Sequence, residues 1–192
     1  MSVGAWIGVG VAVLVVIAVI AIVAWYINCY NTFIRLKNNY EEAFSTMDVQ
    51  MQKRYDLIPN LVETVKGYAK HEKETLSAVI EARNLAKSAV GVEDKAKAEA
   101  AFSGSIRNLF AIAENYPELK ANTNFIDLQN QLKTVETEIA SSRKYYNACV
   151  KAFNVKVEMF PSNLVARAKN FVKAPLFEIE DKEARKAVKV QF

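Results

Sequence analysis

The sequence predicts an all-α protein in which an N-terminal single transmembrane helix continues into an antiparallel four-helix bundle. Three observations carry that expectation. Residues 5–27, with WIGVGVAVLVVIAVIAIVAWYI at 6–27, contain no charged side chain. Beyond them apolar residues recur at steps of three and four, the period of one helix face. Only six glycines and four prolines punctuate the 192 residues, and strand-like alternation is nowhere sustained.

The apolar run is long enough to cross a bilayer, since about 20 residues at 1.5 Å rise cover a hydrocarbon layer of roughly 30 Å. Trp6 at one end and the Trp25–Tyr26 pair at the other mark the two headgroup levels, where amphipathic rings settle. A cleaved signal peptide fits poorly, because no basic residue precedes the run and Trp-Tyr-Ile-Asn follows where small residues belong. The run therefore reads as an uncleaved anchor. Gly4 and Gly8, one turn apart with Gly10 nearby, have the spacing that lets transmembrane backbones touch, and they are candidates for a self-association face.

From Phe33 the positions Phe33, Leu36, Tyr40, Phe44, Met47 and Met51 form one stripe, and no breaker separates them from the anchor. A continuous helix of roughly 45 residues, about 70 Å long, is expected. Pro59 should end that helix and open the next in its first turn, with Asp56 as N-cap and Leu61, Val65, Tyr68, Leu76 and Val79 facing inward. Gly91 ends the second bundle helix. Glu93 and Asp94 open a third with Phe102, Ile106, Leu109 and Ala113 inward, and Pro117 stops it. The fourth starts near Ala121 and carries Phe125, Leu128, Leu132, Val135, Ile139, Tyr146, Cys149, Phe153, Val157 and Phe160 on its apolar face. Four amphipathic helices with short connections bury their stripes on each other. The expected organisation is an anchor over 1–28, a helical bundle over 29–163 and a C-terminal tail over 164–192, which lies against the bundle or a neighbouring chain.

The chain is 52% hydrophobic and 24% charged, a mixture of an apolar anchor with an ordinary soluble remainder of one-domain size. With 25 basic and 21 acidic residues the balance is too even for nucleic acid, which needs a clustered basic excess. The bilayer is the expected partner. No Lys or Arg precedes the span, whereas Arg35 and Lys37 follow it closely, so the bundle is expected on the cytoplasmic side with the N-terminus outside. Cys29 and Cys149 lack CxxC or His partners at ligand spacing and fit reduced thiols.

No catalytic set emerges. The single histidine, His71, lies in a charged run and cannot form the paired-histidine zinc motif; no Ser-centred elbow or Gly-rich phosphate loop is present. No catalytic, metal-binding or cofactor-binding residue is assigned, and no enzyme activity is expected. Gly104, alone in a helix, is expected to permit close packing. Glu136 with Lys133 reads as surface dressing. Arg54, Asp56 and Asn60 cluster in one segment, and Arg143, Tyr146 and Asn147 lie near the apolar stripe of the last helix. A polar layer across the bundle would join them, either as a clasp or as a ligand pocket.

The segment RYDLIPNLVETVKGY at 54–68, HEKETL at 71–76, YPELKA at 116–121, then Phe125, Leu132, Glu136, Arg143, Tyr146, Asn147 and FPSN at 160–163 together resemble the LemA family, as do Phe177 and the closing VQF at 190–192. The resemblance covers nearly the whole chain. It implies a bacterial single-pass inner-membrane protein with a four-helix bundle, connected with membrane organisation, including magnetosome membranes, and with no established catalytic residues. The function expected from residues and resemblance together is a membrane-anchored scaffold that self-associates into a homo-oligomer and organises or remodels a membrane patch. The alternative is an adaptor that presents substrates or signals to a membrane protease or sensor, with an unidentified protein partner.

Overall fold

Pro59 does not break the first helix. In the computed structural model, which describes residues 3–178 with side chains from Trp6 onward, α1 runs over Val3–Tyr68 with Pro59 in its interior. A proline there leaves the carbonyl four residues earlier without its N–H donor. That carbonyl belongs to Tyr55, and Arg83 Nε donates to it at 2.7 Å. An arginine from the next helix thus makes the bond that Pro59 cannot. Asp56 is consequently no N-cap: it is exposed within α1, where it accepts a bond from Gln52 Nε2 at 2.7 Å.

Five further helices follow: α2 (Lys73–Ser88), α3 (Val92–Ala113), the single turn α4 (Pro117–Lys120), α5 (Thr123–Glu158) and α6 (Ser162–Ala168), after which residues 171–178 carry no regular structure. The chain is all-α as expected, although the first helix is longer than its apolar stripe suggested. It divides into two compact units. One comprises the chain through Glu41 together with Cys149–Ala174, and the other comprises Glu42–Ala148 with the described residues from Pro175 onward.

The second unit is the four-helix bundle. The ion pair of Lys95 with Asp48 and the 3.2 Å bond of Arg54 to Ser103 run α3 alongside α1 in the same direction. The turn at Ala69–Glu72 sends α2 back, so that Tyr55 Oη lies 3.3 Å from the Ala86 carbonyl. At the other side Asn122 donates to Tyr68 at 2.9 Å, while the Phe44 and Tyr146 rings meet at 5.6 Å, which makes α5 antiparallel to α1. The core is built by Met47, Met51, Ile58, Leu61 and Val65 of α1, Leu76 and Val79 of α2, Phe102, Ile106 and Leu109 of α3, and Phe125, Leu132 and Ile139 of α5. Each large side chain taken from water contributes about 1.5–3 kcal/mol. Tyr68, expected inward, is 39% exposed because it closes the open end of the unit with Asn122.

Gly91 sits at φ +85° immediately before α3, a conformation that favours glycine, and Glu93 and Asp94 occupy the first turn of α3 as expected. Gly104 differs from expectation. A Cβ built there meets nothing within 4 Å, so its lack of a side chain serves no close approach.

In the first unit, Cys29 and Phe33 of α1 pack with Phe153 of α5 and with Val165 and Ala166 of α6, and Tyr30, Leu36, Tyr40, Val157 and Phe171 close around them. Phe33 stacks on Phe171 at 4.8 Å and meets Phe153 edge-on at 6.1 Å. Asn154 holds Ala174 at two points, donating to its carbonyl at 2.9 Å and accepting from its N–H at 2.8 Å. Val165, Ala166, Phe171 and Ala174 join this core, so the segment 164–174 is seated on it. Phe160, expected on the inward stripe, is 78% exposed, because α5 stops at Glu158 and the helical register is lost before it.

Arg83→Ala is expected to destabilise the protein by about 1.5–3 kcal/mol, the range for a charged donor to a buried carbonyl. Pro59→Ala in that background restores the helical N–H and should recover part of the loss. Denaturant unfolding of the four members of this cycle measures the coupling, and additive effects would contradict the assignment.

Candidate functional site

Two places deserve the description: the exposed apolar face of α1, and a charged centre inside the bundle. Every described side chain from Trp6 to Trp25 is exposed, and the apolar window of α1 has none of its residues buried within the chain. A core helix of a soluble protein would be covered by its own chain. A single membrane anchor fits this arrangement, with Trp6 (64% exposed) and Trp25 (38%) separated by about 29 Å along the axis. Tyr26, beside Trp25, is partly buried and packs against the Cys29–Phe33 core of its unit. Gly4 lies in α1 with its surroundings outside the described residues, and a Cβ at Gly8 or Gly10 would meet nothing of this chain.

The charged centre is built around Arg54. On α1 the buried stripe steps through Met47, Met51, Arg54, Ile58, Leu61 and Val65, so the guanidinium enters the core at a position where the pattern calls for an apolar residue. It is 2% exposed. The matching acid is Glu99, 1% exposed, on the α3 stripe of Ala96, Glu99, Phe102, Ile106 and Leu109. Arg54 donates through Nη2 to Glu99 and through Nη1 to Glu136 of α5 and to Ser103. Its charge also lies 5.0 Å from the centre of the Phe102 ring. Tyr55 donates its hydroxyl to the other Glu99 oxygen, so both oxygens of that carboxylate are engaged. Burial, then the bond to Glu99 and its charge, raise the Tyr55 pKa well above the usual phenol value, which keeps the hydroxyl a donor.

The polar layer thus exists with a different membership. Asp56 is two residues from Arg54, some 200° around the helix, and Asn60 is turned away likewise; both are exposed. Arg143 is half-buried on α5, two turns beyond Glu136, and does not join the Arg54 group. Asn147 has another task. It donates to the Phe177 carbonyl at 3.1 Å and accepts from the Phe177 N–H at 2.9 Å, while Tyr146 donates to the Pro175 carbonyl at 2.9 Å. These bonds seat the buried Phe177 on the bundle. The residues at 190–192 lie outside the described part of the chain. Glu136, expected on the surface with Lys133, is a partner of Arg54, and Glu99 is a member that the sequence expectations do not include. Its signal was available: an acid within the apolar period of α3, complementary to an arginine within the apolar period of α1.

Arg54 Nη1 and Nη2, the Tyr55 hydroxyl and both Glu99 oxygens are spent on one another and on Glu136 and Ser103, while Arg54 Nε is buried without a partner, and this centre joins α1, α3 and α5 as a clasp. Among the described residues no group of three or more His, Cys, Asp or Glu could hold a metal ion. His71 is exposed, as expected.

Glu99→Ala leaves a buried arginine short of its principal partner and is expected to lower stability by about 3–5 kcal/mol in denaturant unfolding. The Tyr55 pKa is higher folded than unfolded, so its contribution is full below about pH 10 and is lost as pH rises through the folded value. Tyr55→Phe should therefore make stability fall less steeply between about pH 9.5 and 11, and an unchanged slope would contradict the assignment.

A family model described as the LemA family matches residues 43–192. Among similar proteins, Magnetosome protein MamQ 2 of Paramagnetospirillum magneticum is 23% identical, with 86% of this chain and 71% of that protein covered. Protein LemA of Metamycoplasma hominis is 26% identical over 82% of this chain and 73% of its own length. Magnetosome protein MamQ of Magnetospirillum gryphiswaldense is 22% identical over 84% and 69%. The matched region contains the Arg54 clasp, the Arg83–Tyr55 bond and the Asn147 contact, and the chain belongs to the LemA family.

Proposed function

We propose that this chain is a non-enzymatic helical scaffold anchored in the bacterial inner membrane, which self-associates and organises or remodels the membrane patch around it. The observation that carries the reading is α1: its exposed apolar segment and the Met47–Val65 stripe of the bundle belong to one unbroken helix. Arg35 and Lys37 after the span favour a cytoplasmic bundle with the N-terminus outside. The consumption of Arg54, Tyr55 and Glu99 in a clasp supports a structural role for the one buried charged centre described. The name of the MamQ relatives, magnetosome proteins, is consistent with work at a membrane-bounded structure. Gly4 and Gly8 supply the self-association face in this proposal.

A second reading is favoured by one feature, an open groove at the α1–α2 end of the bundle. It is lined by the apolar Val62, Leu76 and Ile80 and by Lys70, Lys73 and Lys66, the last paired with Glu63 of the same lining at 3.1 Å. An adaptor would receive an acidic partner segment there. Crosslinking from the groove in cells separates the readings, since capture of one reproducible different protein supports the adaptor and capture of the chain itself supports the scaffold.

Native mass spectrometry of the full-length protein released from lipid nanodiscs should give a defined oligomer, and Gly4→Leu with Gly8→Leu should reduce its size without changing the helical content. A monomer in both cases would sink the scaffold; an unchanged oligomer in the double variant would remove the span from the assembly contact.

A further inference from the structure

The α5–α6 turn and the segment after α6 leave large apolar side chains that the first unit does not bury. Met159 and Leu164 are more than half exposed, and Phe160 (78%) and Val172 (76%) are among the most exposed apolar residues described. Their position relative to the span is fixed within that unit. Val165 and Ala166, next to Leu164, pack with Cys29 and Phe33 of α1, and Phe171, next to Val172, stacks on Phe33 and contacts Tyr30 at 6.1 Å.

Cys29 is four residues beyond Trp25 and Phe33 eight, which places them about 6–12 Å beyond Trp25 along the axis. The headgroup zone of one leaflet is about 5–8 Å deep. Residues packed on Cys29 and Tyr30 therefore stand at or just above headgroup height.

The charge of this segment points the same way. Residues 149–174 carry five basic side chains, Lys151, Lys156, Arg167, Lys169 and Lys173, against Glu158 alone, a net +4. The whole chain is also +4, from 25 basic and 21 acidic residues, so everything outside the segment balances at 20 against 20. Arg167 and Lys169 are exposed at the end of α6, and Lys169 Nζ lies 5.7 Å from the Tyr30 ring centre. Lys173 is paired with Glu158. Apolar side chains beside exposed cations, held near a membrane span, are the combination by which an element lies in the membrane interface.

We propose that the α5–α6 turn is a second, monotopic membrane contact. Met159, Phe160, Leu164 and Val172 enter the boundary between headgroups and acyl chains of the leaflet where the span ends, and Arg167 and Lys169 face anionic headgroups there. The contact rests on α1 being the span. Its consequence is that each chain touches the bilayer twice, once by crossing it and once by lying on it, which suits a protein that shapes a membrane patch.

The test is nitroxide accessibility in the full-length chain reconstituted in vesicles of phosphatidylethanolamine and phosphatidylglycerol. Single labels go on Phe160→Cys and Val172→Cys in a Cys29→Ala, Cys149→Ser background, with Val16→Cys in the span and Leu85→Cys on the bundle surface as references. Phe160 and Val172 are exposed, so their replacement leaves the core of the unit in place. The expected result is access to dissolved oxygen with several-fold less access to a water-soluble nickel chelate than at Leu85→Cys. Chelate access equal to that at Leu85→Cys, with Val16→Cys shielded, overturns the contact alone. Exclusion of both reagents means that protein covers the face and also overturns it. A water-exposed Val16→Cys overturns the anchor itself.

Discussion

One hydrogen bond that a proline cannot make governs the shape of α1. Pro59 deprives the Tyr55 carbonyl of its helical donor, and Arg83 of α2 supplies the replacement. Because the helix continues, Leu61, Val62 and Val65 stay in register with Met47, Met51 and Ile58, and a single stripe serves the bundle along its first helix. Were the helix to end at Pro59, Ile58 and Leu61 would lie on separate elements. The same bond ties α2 to α1 beside the charged centre, since Tyr55 gives its carbonyl to Arg83 and its hydroxyl to Glu99.

The Arg54 centre adds a different kind of constraint. Apolar residues of similar volume in place of a buried ion pair are often as stabilising or more so, because desolvation offsets the Coulomb attraction. In the register seen here α1, α3 and α5 meet with Arg54, Glu99 and Tyr55 all engaged, and a shift of one turn would strand a buried charge. Glu136 is half-exposed and remains in contact with solvent, which lowers the desolvation cost of the cluster relative to a wholly buried set.

Much of this was legible in the residues. Uncharged length gave the span, the three-and-four period gave the helices, and the stripes of α3 and α5 correspond to their buried faces from Phe102 to Ala113 and from Phe125 to Tyr146. The failures have definable causes. The local rule for prolines ends a helix at Pro59, and the compensation comes from Arg83, 28 positions beyond Tyr55, which no local rule can see. Asp56 and Asn60 are near Arg54 in sequence, whereas at 100° per residue they face elsewhere. Phe160 followed the period of α5 past the point where the helix ends. Asn147 stands out near the apolar face, but its partner, the backbone of Phe177, lies in a segment without periodicity.

Family membership, the exposed apolar helix and the clasped bundle are the support for the proposed scaffold. The scaffold account makes a statement about distribution in a membrane, and cryo-electron tomography of full-length protein reconstituted at low density in phosphatidylethanolamine and phosphatidylglycerol vesicles addresses it most directly. The account predicts that bundles gather into patches of repeated spacing, with altered curvature beneath them. Bundles scattered at random over unperturbed membrane would contradict it.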